Sequence, residues 1–530
     1  MKQADYTATA LRGKERIHLL LVRPPSYMWP IINESDNFLL PLGFPCLAAY
    51  LRERMVGVDI EIIDCPPLRI GWKMLEKLIR DKQPDVVGVG DMICYMHEGM
   101  RLVRMAKQIN PEIVTVGGGH FHSALPDYSL ANYPELDFVV RWEGEESFRQ
   151  LLEALREGTA LSTVGSLAFR EGDRVVKTAP VPLIDPLDTL PMPAYDLAPI
   201  NKYAPFGILW PKAITIQGQR GCPYKCNFCS WSYLEGDHVL DTAGEHLIPR
   251  LRQKSPGRIL EEIDLLYNEY GVRYLFWVDA TWNYDSGIME TLAEGILSRG
   301  YKLGWWAFCR PDILLQQHDT GVLRKMVDAG LSHVLMGAER GEEEDMVVIG
   351  KHDHKQDSIL HISRLLESEY PSVFRQATWM TGLPNDTPEK LKRLGRYARD
   401  THLDFAAFHP FMPYPGTKIW EEYKDSPLLE ETDFSKYDMF YPVMRSRAMN
   451  RREIAKATER LSLDFVGKQP WRYLRGMFSP VRIRRRLHWW FAVSMVRVVL
   501  LDLWHALLGR RTFAGFAAVS KLWKPTWYDR

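Results

Sequence analysis

Seven cysteines in 530 residues are too few and too unevenly spread for a disulfide scaffold, and they fit a reducing compartment. Four of them, Cys46, Cys65, Cys94 and Cys309, stand singly and read as small buried apolar residues. No second cysteine pair accompanies the other three, so a structural zinc site lacks its usual ligand count. Net charge is absent too. Sixty-seven Lys and Arg balance 67 Asp and Glu, which removes any global pull toward nucleic acid or an anionic surface. Residues 1–16 are polar and charged, without the apolar core of a secretory signal, so the cytoplasm is the expected compartment. The chain is too long for one core, and two to four domains are expected.

What is present is one dense motif. Cys222, Cys226 and Cys229 lie in Gly221-Cys222-Pro223-Tyr224-Lys225-Cys226-Asn227-Phe228-Cys229, after the strand-like run Ala213 to Gln217. Three thiolates this close can hold three irons of a cubane and leave the fourth open to a small chelating substrate. The alternatives are a zinc site or three core thiols. The nearby His238 and His246 lack the usual spacing for zinc.

Upstream, about residues 17–155, apolar runs alternate with helical stretches. Strands are expected near 17–22, 58–63, 85–90 and 113–119, as in a doubly wound parallel sheet. Ligands of such sheets bind outside the carboxyl ends of the strands. Glycines stand there, in Gly90-Asp91-Met92 and in Gly117-Gly118-Gly119-His120. Residues 156–200 read as a connector holding a hairpin around Glu171-Gly172-Asp173. From 201 to 425, strands are expected at 213–217, 273–278, 305–309, 333–337, 374–380 and 404–408, with helices between most of them. Six βα units make a partial barrel, whose chemistry belongs at the carboxyl ends of its strands.

The last region, 426–530, is helical and basic. Leu487 to Leu508 is long enough to span a bilayer but contains Arg497 and Asp502. A Trp-rich helix lying in a membrane interface, through Trp489, Trp490 and Trp504, competes with a helix packed on the barrel.

The cysteine spacing, with Phe228 before the last cysteine, resembles the radical S-adenosylmethionine (SAM) signature. The first domain, with Val22-Arg23-Pro24-Pro25 and Val140-Arg141-Trp142-Glu143-Gly144-Glu145-Glu146, resembles cobalamin-binding domains placed before such barrels. The tail segments Asp433 to Tyr437 and Pro442 to Arg445 resemble the anaerobic magnesium-protoporphyrin IX monomethyl ester oxidative cyclase and its relatives. The resemblance implies an α/β chain: a Rossmann-like cobalamin-type domain, a partial (β/α)6 radical SAM barrel and a helical C-terminal tail. It implies a [4Fe–4S] cluster on Cys222, Cys226 and Cys229, with SAM and cobalamin as further cofactors. Phe228, Asp279, Arg310, Glu339 and Gly382 would serve SAM, and Asp91, Gly117, Gly118, Gly119 and Glu143 would serve cobalamin. One departure is clear. The DxHxxG motif that places a histidine below cobalt is replaced by Arg23-Pro24-Pro25-Ser26-Tyr27-Met28. A first domain that has lost its cofactor is the alternative reading.

The implied reaction is reductive cleavage of SAM to a 5′-deoxyadenosyl radical. That radical then supports methylation or oxidative cyclisation of a bulky hydrophobic substrate such as a tetrapyrrole or lipid. The implied partners are an electron donor such as flavodoxin or ferredoxin, no nucleic acid, and peripheral membrane contact through the C-terminal region. Two readings compete. A tRNA-modifying enzyme would need a second cysteine set and an RNA-binding module, and the basic tail is too greasy for one. A non-catalytic iron–sulfur scaffold would bind the same groups without turnover.

Overall fold

A computed structural model describes residues 11–27, 39–90, 93–203, 212–241, 244–351, 357–509 and 524–530. The first sheet is built from β1 (Ile17–Arg23), β2 (Val58–Asp64), β3 (Val86–Gly90), β4 (Val114–Gly118) and β5 (Phe138–Val140), parallel in the order 2-1-3-4-5. Their residues are buried on both faces, as the unbroken apolar runs require. Helices cover both faces. The helix Gly144–Glu157, for example, buries Phe148, Leu151, Leu152 and Leu155 at helical spacing. The hairpin expected in the connector forms as β6 (Leu167–Glu171) and β7 (Arg174–Lys177). It does not stand apart, because β6 pairs antiparallel with β5 and extends the first sheet to seven strands.

The second sheet starts at β8 (Ala213–Ile216). Four short strands then interrupt it. β9 (Gln219–Gly221) pairs with β12 (Leu251–Gln253), and β10 (Asp237–Asp241) pairs with β11 (Gly244–Ile248), both antiparallel. The barrel resumes with β13 (Tyr274–Trp277), β14 (Gly304–Cys309), β15 (Leu331–Glu339), β16 (Phe374–Thr381) and β17 (Phe405–Pro410). The six strands are parallel and lie in sequence order, an open barrel. Ser255, Asp285 and Thr387 cap helices between them by accepting from the N–H three residues on.

Side-chain parity divides the barrel. Trp277, Trp305 and Trp379 face outward into the layer beneath the helices and are buried. The opposite parity in β14 (Trp306, Phe308) and β16 (Gln376, Thr378, Met380) keeps partial exposure, although both strands have neighbours on either side. Those side chains line an open lumen. Its foot is closed where Tyr274, Phe276, Phe374 and Phe405, at or near the starts of their strands, pack with Leu487 and Phe491 of the helix Arg482–Leu507. That helix therefore docks on the barrel over its first half. Beyond it, Trp527 and Tyr528 return to the first domain, where the N–H groups of Trp72 and Lys73 donate to the carbonyls of Tyr528 and Arg530 at 3.0 and 2.9 Å.

Candidate active site

The cysteine loop leaves the carboxyl end of β8 through β9. Gly221 has φ +78°, and a Cβ there would lie 2.0 Å from the Arg250 carbonyl oxygen, so glycine is required before the first cysteine. Asn227 pins the centre of the loop. Its N–H donates to the Ile349 carbonyl at 2.9 Å, and its own carbonyl accepts from the Ile419 N–H at 3.1 Å. The Cys222 thiol lies 3.5 Å from the Thr281 hydroxyl, at the end of β13. Tyr224 lies beneath the Arg310 guanidinium, 3.6 Å from ring centroid to carbon, at the end of β14.

Burial pushes the Cys226 thiol up to about 11; Lys351 opposes the rise, Cys222 and Glu339 add to it, and Arg310 opposes it weakly. Burial pushes Cys229 up to about 12, with Cys226 and Cys222 adding to the rise. The thiols therefore sense one another, and the ends of β14 and β15 converge on them. Among the described residues no three such ligands surround a single ion site. A cubane asks for something else, one thiolate on each of three irons. The donor set fits that group, whose charge offsets the cost of three buried thiolates.

The residues expected at the strand ends also make contacts within the chain. Asp279 is buried, and its carboxylate accepts from the N–H groups of Gly218 (2.9 Å) and Gln219 (3.0 Å), so it ties down the β8–β9 corner. Arg310 forks onto Asp312 at 2.9–3.0 Å. Glu339 takes φ +59° beyond a register shift in β15, and its carboxylate accepts from Lys351 at 3.2 Å. Gly382, expected beside adenine, has its vacant side filled by Ile454, 2.8 Å from where a Cβ would stand. Phe228 packs with Met346, Ile349, Leu383 and Phe411. Lys351, Tyr224 and Asn227 were missed. A lysine directly after Gly350 carries no signal of its own that it will be buried.

In the first domain, Gly117 is packed under His122 and Leu136, whereas Gly118 and Gly119 stand at the carboxyl edge, Gly119 with φ +88°. Asp91 lies outside the described residues. Glu143, expected to face cobalamin, is otherwise engaged. It accepts from Arg220 (3.0 Å), Arg252 (2.8 Å) and the Ile184 N–H (2.9 Å). Burial alone would raise its carboxyl, yet Arg220 and Arg252 overcome that and bring it to about 2. Arg220 also meets Glu145 at 2.6 Å. His120, next to Gly119, meets Glu235 at 3.3 Å, and Glu235 accepts from the Gly221 N–H at 2.8 Å. None of these ion pairs was foreseen, since their partners are 75 or more residues apart. Arg23, at the end of β1, is bound to Asp64. The exposed Gly119, Gly118 where a Cβ would meet only the Val140 carbonyl oxygen at 3.6 Å, and the buried His122 Nε2 with no partner among the described residues suit a flat macrocycle with polar side arms.

The lumen opens toward the cysteine loop. Trp306, Phe308 and Trp231 form an edge-to-face chain at 4.5 and 5.3 Å. His333 and Gln376 meet at 2.8 Å, and His409 lies beside Phe440. Burial lowers His333 to about 3 and His409 to about 4, so both imidazoles are neutral near pH 7.

Comparison with known proteins agrees with this arrangement. The family described as B12 binding domain matches residues 28–152, and the Radical SAM superfamily matches residues 216–398. An uncharacterised methyltransferase of Pyrococcus horikoshii is 29% identical over 453 residues, covering 84% of this chain and 92% of the relative. The anaerobic magnesium-protoporphyrin IX monomethyl ester cyclase of Synechocystis is 26% identical over 533 residues, covering 96% and 97%. In fold, the chain is similar to the radical SAM methyltransferase TsrM from Kitasatospora setae, solved with cobalamin and a [4Fe–4S] cluster (TM-score 0.61, 17% identity, 77% and 78% covered). With the two domains matched in this order, the cofactors are cobalamin, a [4Fe–4S] cluster and SAM, and the chain is a cobalamin-binding radical SAM enzyme similar to methyltransferases and cyclases.

Proposed function

We propose that this enzyme methylates an unactivated carbon of a bulky, uncharged, ring-bearing substrate, such as a tetrapyrrole or a polycyclic lipid. The observation that carries the reading is the lumen. The side chains that line it below Glu339 are aromatic, aliphatic or neutral polar, namely Trp306, Phe308, Gln376, Thr378, Met380 and His409, and His333, buried, bonds Gln376 from behind. A phosphate or sugar-phosphate placed there would be desolvated without a counter-charge, at a cost of several kcal/mol (order of magnitude). Flat apolar rings instead gain area burial and edge contacts with Trp306 and Phe308.

When bound, the cluster and SAM supply the 5′-deoxyadenosyl radical, and cobalamin supplies the methyl group. The chain's own residues do the rest. Cys222, Cys226 and Cys229 hold the cluster. The polar heads of Arg310, Glu339 and Lys351, close to Cys226, would serve the polar groups of SAM. The closed foot keeps water out of the lumen. The electron comes from a small cytoplasmic donor of the flavodoxin or ferredoxin kind.

Oxidative cyclisation is the second reading. The end-to-end match to the cyclase, which continues through the helical tail, favours it. The test is anaerobic turnover with methyl-labelled SAM, a reductant, and either a metallo-tetrapyrrole ester or a polycyclic triterpene. Label in the product supports methylation. A product that has lost hydrogens and carries no label supports cyclisation. If phosphorylated, charged substrates alone are turned over, the apolar reading fails.

A further inference from the structure

The helix Arg482–Leu507 carries two faces of different character. Leu487, His488 and Phe491 turn inward, and Phe491 stacks on Phe374 and Phe405 at 5.4 and 4.1 Å. Arg484 and His488 bond Asp404 on the same side, at 2.7 and 3.4 Å. The opposite face is Arg482, Arg486, Trp489, Val493, Val496, Leu500, Leu503 and Leu507, spaced 4-3-4-3-4-3-4, which on a helix is one continuous stripe. From Trp489 onward its members are well exposed, from 46% at Trp489 to 82% at Leu507. Trp504, 59% exposed, flanks it. At its basic end the stripe runs into the neighbouring helix Pro470–Met477, where Trp471 is 76% exposed, and Phe478 just beyond is 72% exposed. Phe478 lies against Trp489 at 6.5 Å.

We propose that this stripe docks on the surface of an anionic lipid bilayer. Charge complementarity selects that occupant. Between Asp464 and Asp502 the sequence has no acidic residue, and besides Lys468, Arg472 and Arg484, which pair with Asp464, Glu367 and Asp404, it has Arg475, Arg482, Arg485, Arg486 and Arg497. The stripe is basic at one end and aliphatic along the rest, with Trp489 on it and Trp504 beside it, the pattern of a helix lying in a membrane interface. A second copy packed in parallel along this stripe would set Arg482 and Arg486 against their own equivalents. By length and composition alone the helix could cross a bilayer. Its docked first half and its internal Arg497 and Asp502 hold it on the surface instead.

The placement also sets an orientation. The helix sits against the first residues of β16 and β17, Phe374 and Phe405, while the cysteine loop leaves the opposite ends of the barrel strands. With strands rising ~3.3 Å per residue, the stripe and the site lie on opposite ends of the barrel. A docked molecule therefore holds the mouth of its active site away from that membrane.

Flotation of the full-length protein with vesicles tests the proposal. Vesicles of phosphatidylglycerol and phosphatidylcholine should bind the protein at low salt and release most of it at high salt, and pure phosphatidylcholine should bind it weakly. Replacing Arg482→Gln and Arg486→Gln together should weaken partitioning about thirtyfold, from about 1 kcal/mol for each cation near the surface. Val493→Ser, Val496→Ser and Leu500→Ser combined should abolish flotation while leaving SAM cleavage by the soluble protein unchanged, because all three side chains point away from the barrel. Failure to float at low salt would overturn the proposal. So would a concentration-dependent dimer that the serine variant makes monomeric, or binding that survives alkaline carbonate.

Discussion

Asp279 shows how much one side chain's setting can alter its chemistry. It was legible as a strand-end carboxylate, but its use was not, because the two N–H groups it accepts belong to a corner that only the folded chain forms. Burial raises its carboxyl to about 7, against the N–H groups of Gln219 and Gly218, which lower it. The folded state thus binds a proton more tightly than the unfolded chain. Stability from this group is complete below the ordinary carboxyl value, is lost as pH rises toward 7, and is flat above it. Asp279→Asn keeps an acceptor for the corner and cannot ionise. Its thermal midpoint relative to the parent should climb between pH 5 and 7, by about 1.4 kcal/mol per pH unit at most, and then level off. A difference independent of pH would mean the carboxyl is not proton-coupled to folding. The three cysteines stand out in the sequence by their spacing, which is what a cubane with one open iron asks for. Replacing any one of Cys222, Cys226 or Cys229 by Ala should leave a folded protein without the cluster's visible absorption, and 5′-deoxyadenosine release should fall to background.

Among the elements, parallel strands were legible because burial on both faces demands unbroken apolar runs, as in Leu19-Leu20-Leu21-Val22. The short strands β9 to β12 were not. Gln219-Arg220-Gly221 and Leu251-Arg252-Gln253 have neither apolar length nor alternation, and each exists because the other is there to pair with it. They matter because β9 ends at the residue before Cys222. Arg220 lies between Glu143 and Glu145 with its side chain only 11% exposed. Arg220→Met would strand Glu145 in a buried place and leave Glu143 to Arg252 alone, and breaking such a buried pair costs about 3–5 kcal/mol. The expected result is a clear fall in thermal midpoint and faster hydrogen exchange in 219–222 than elsewhere in the barrel. A companion Glu145→Gln, which removes the stranded charge, should recover part of the loss. Unchanged exchange in the loop would show that the clamp does not set its position.

At the scale of the whole molecule, the parallel strands of two sheets meet carboxyl edge to carboxyl edge. His120 and Glu143, which follow β4 and β5, reach Glu235, Arg220 and Arg252 around the cysteine loop that follows β8. Each sheet alone would present its ligand to solvent. Joined this way, they turn the two ligand edges toward one gap. The sequence could not disclose this, because alternating strands and helices define each sheet's edge but not how two edges face each other. The lower side of the gap on the first domain carries no histidine from the β1 exit, where Arg23 is bound to Asp64 and the chain continues Pro24-Pro25. Two results should follow for protein reconstituted with cob(II)alamin and cluster. The paramagnetic resonance of the cobalt should lack splitting from an axial nitrogen. Its relaxation should quicken when the cluster is reduced, because the facing edges bring the two centres into magnetic contact, and Cys226→Ala should abolish the quickening. Axial nitrogen splitting would point to a histidine from elsewhere, with His120→Ala and His238→Ala as the variants that identify it. Relaxation indifferent to the state of the cluster would mean that cobalamin does not lie in the gap between the two edges.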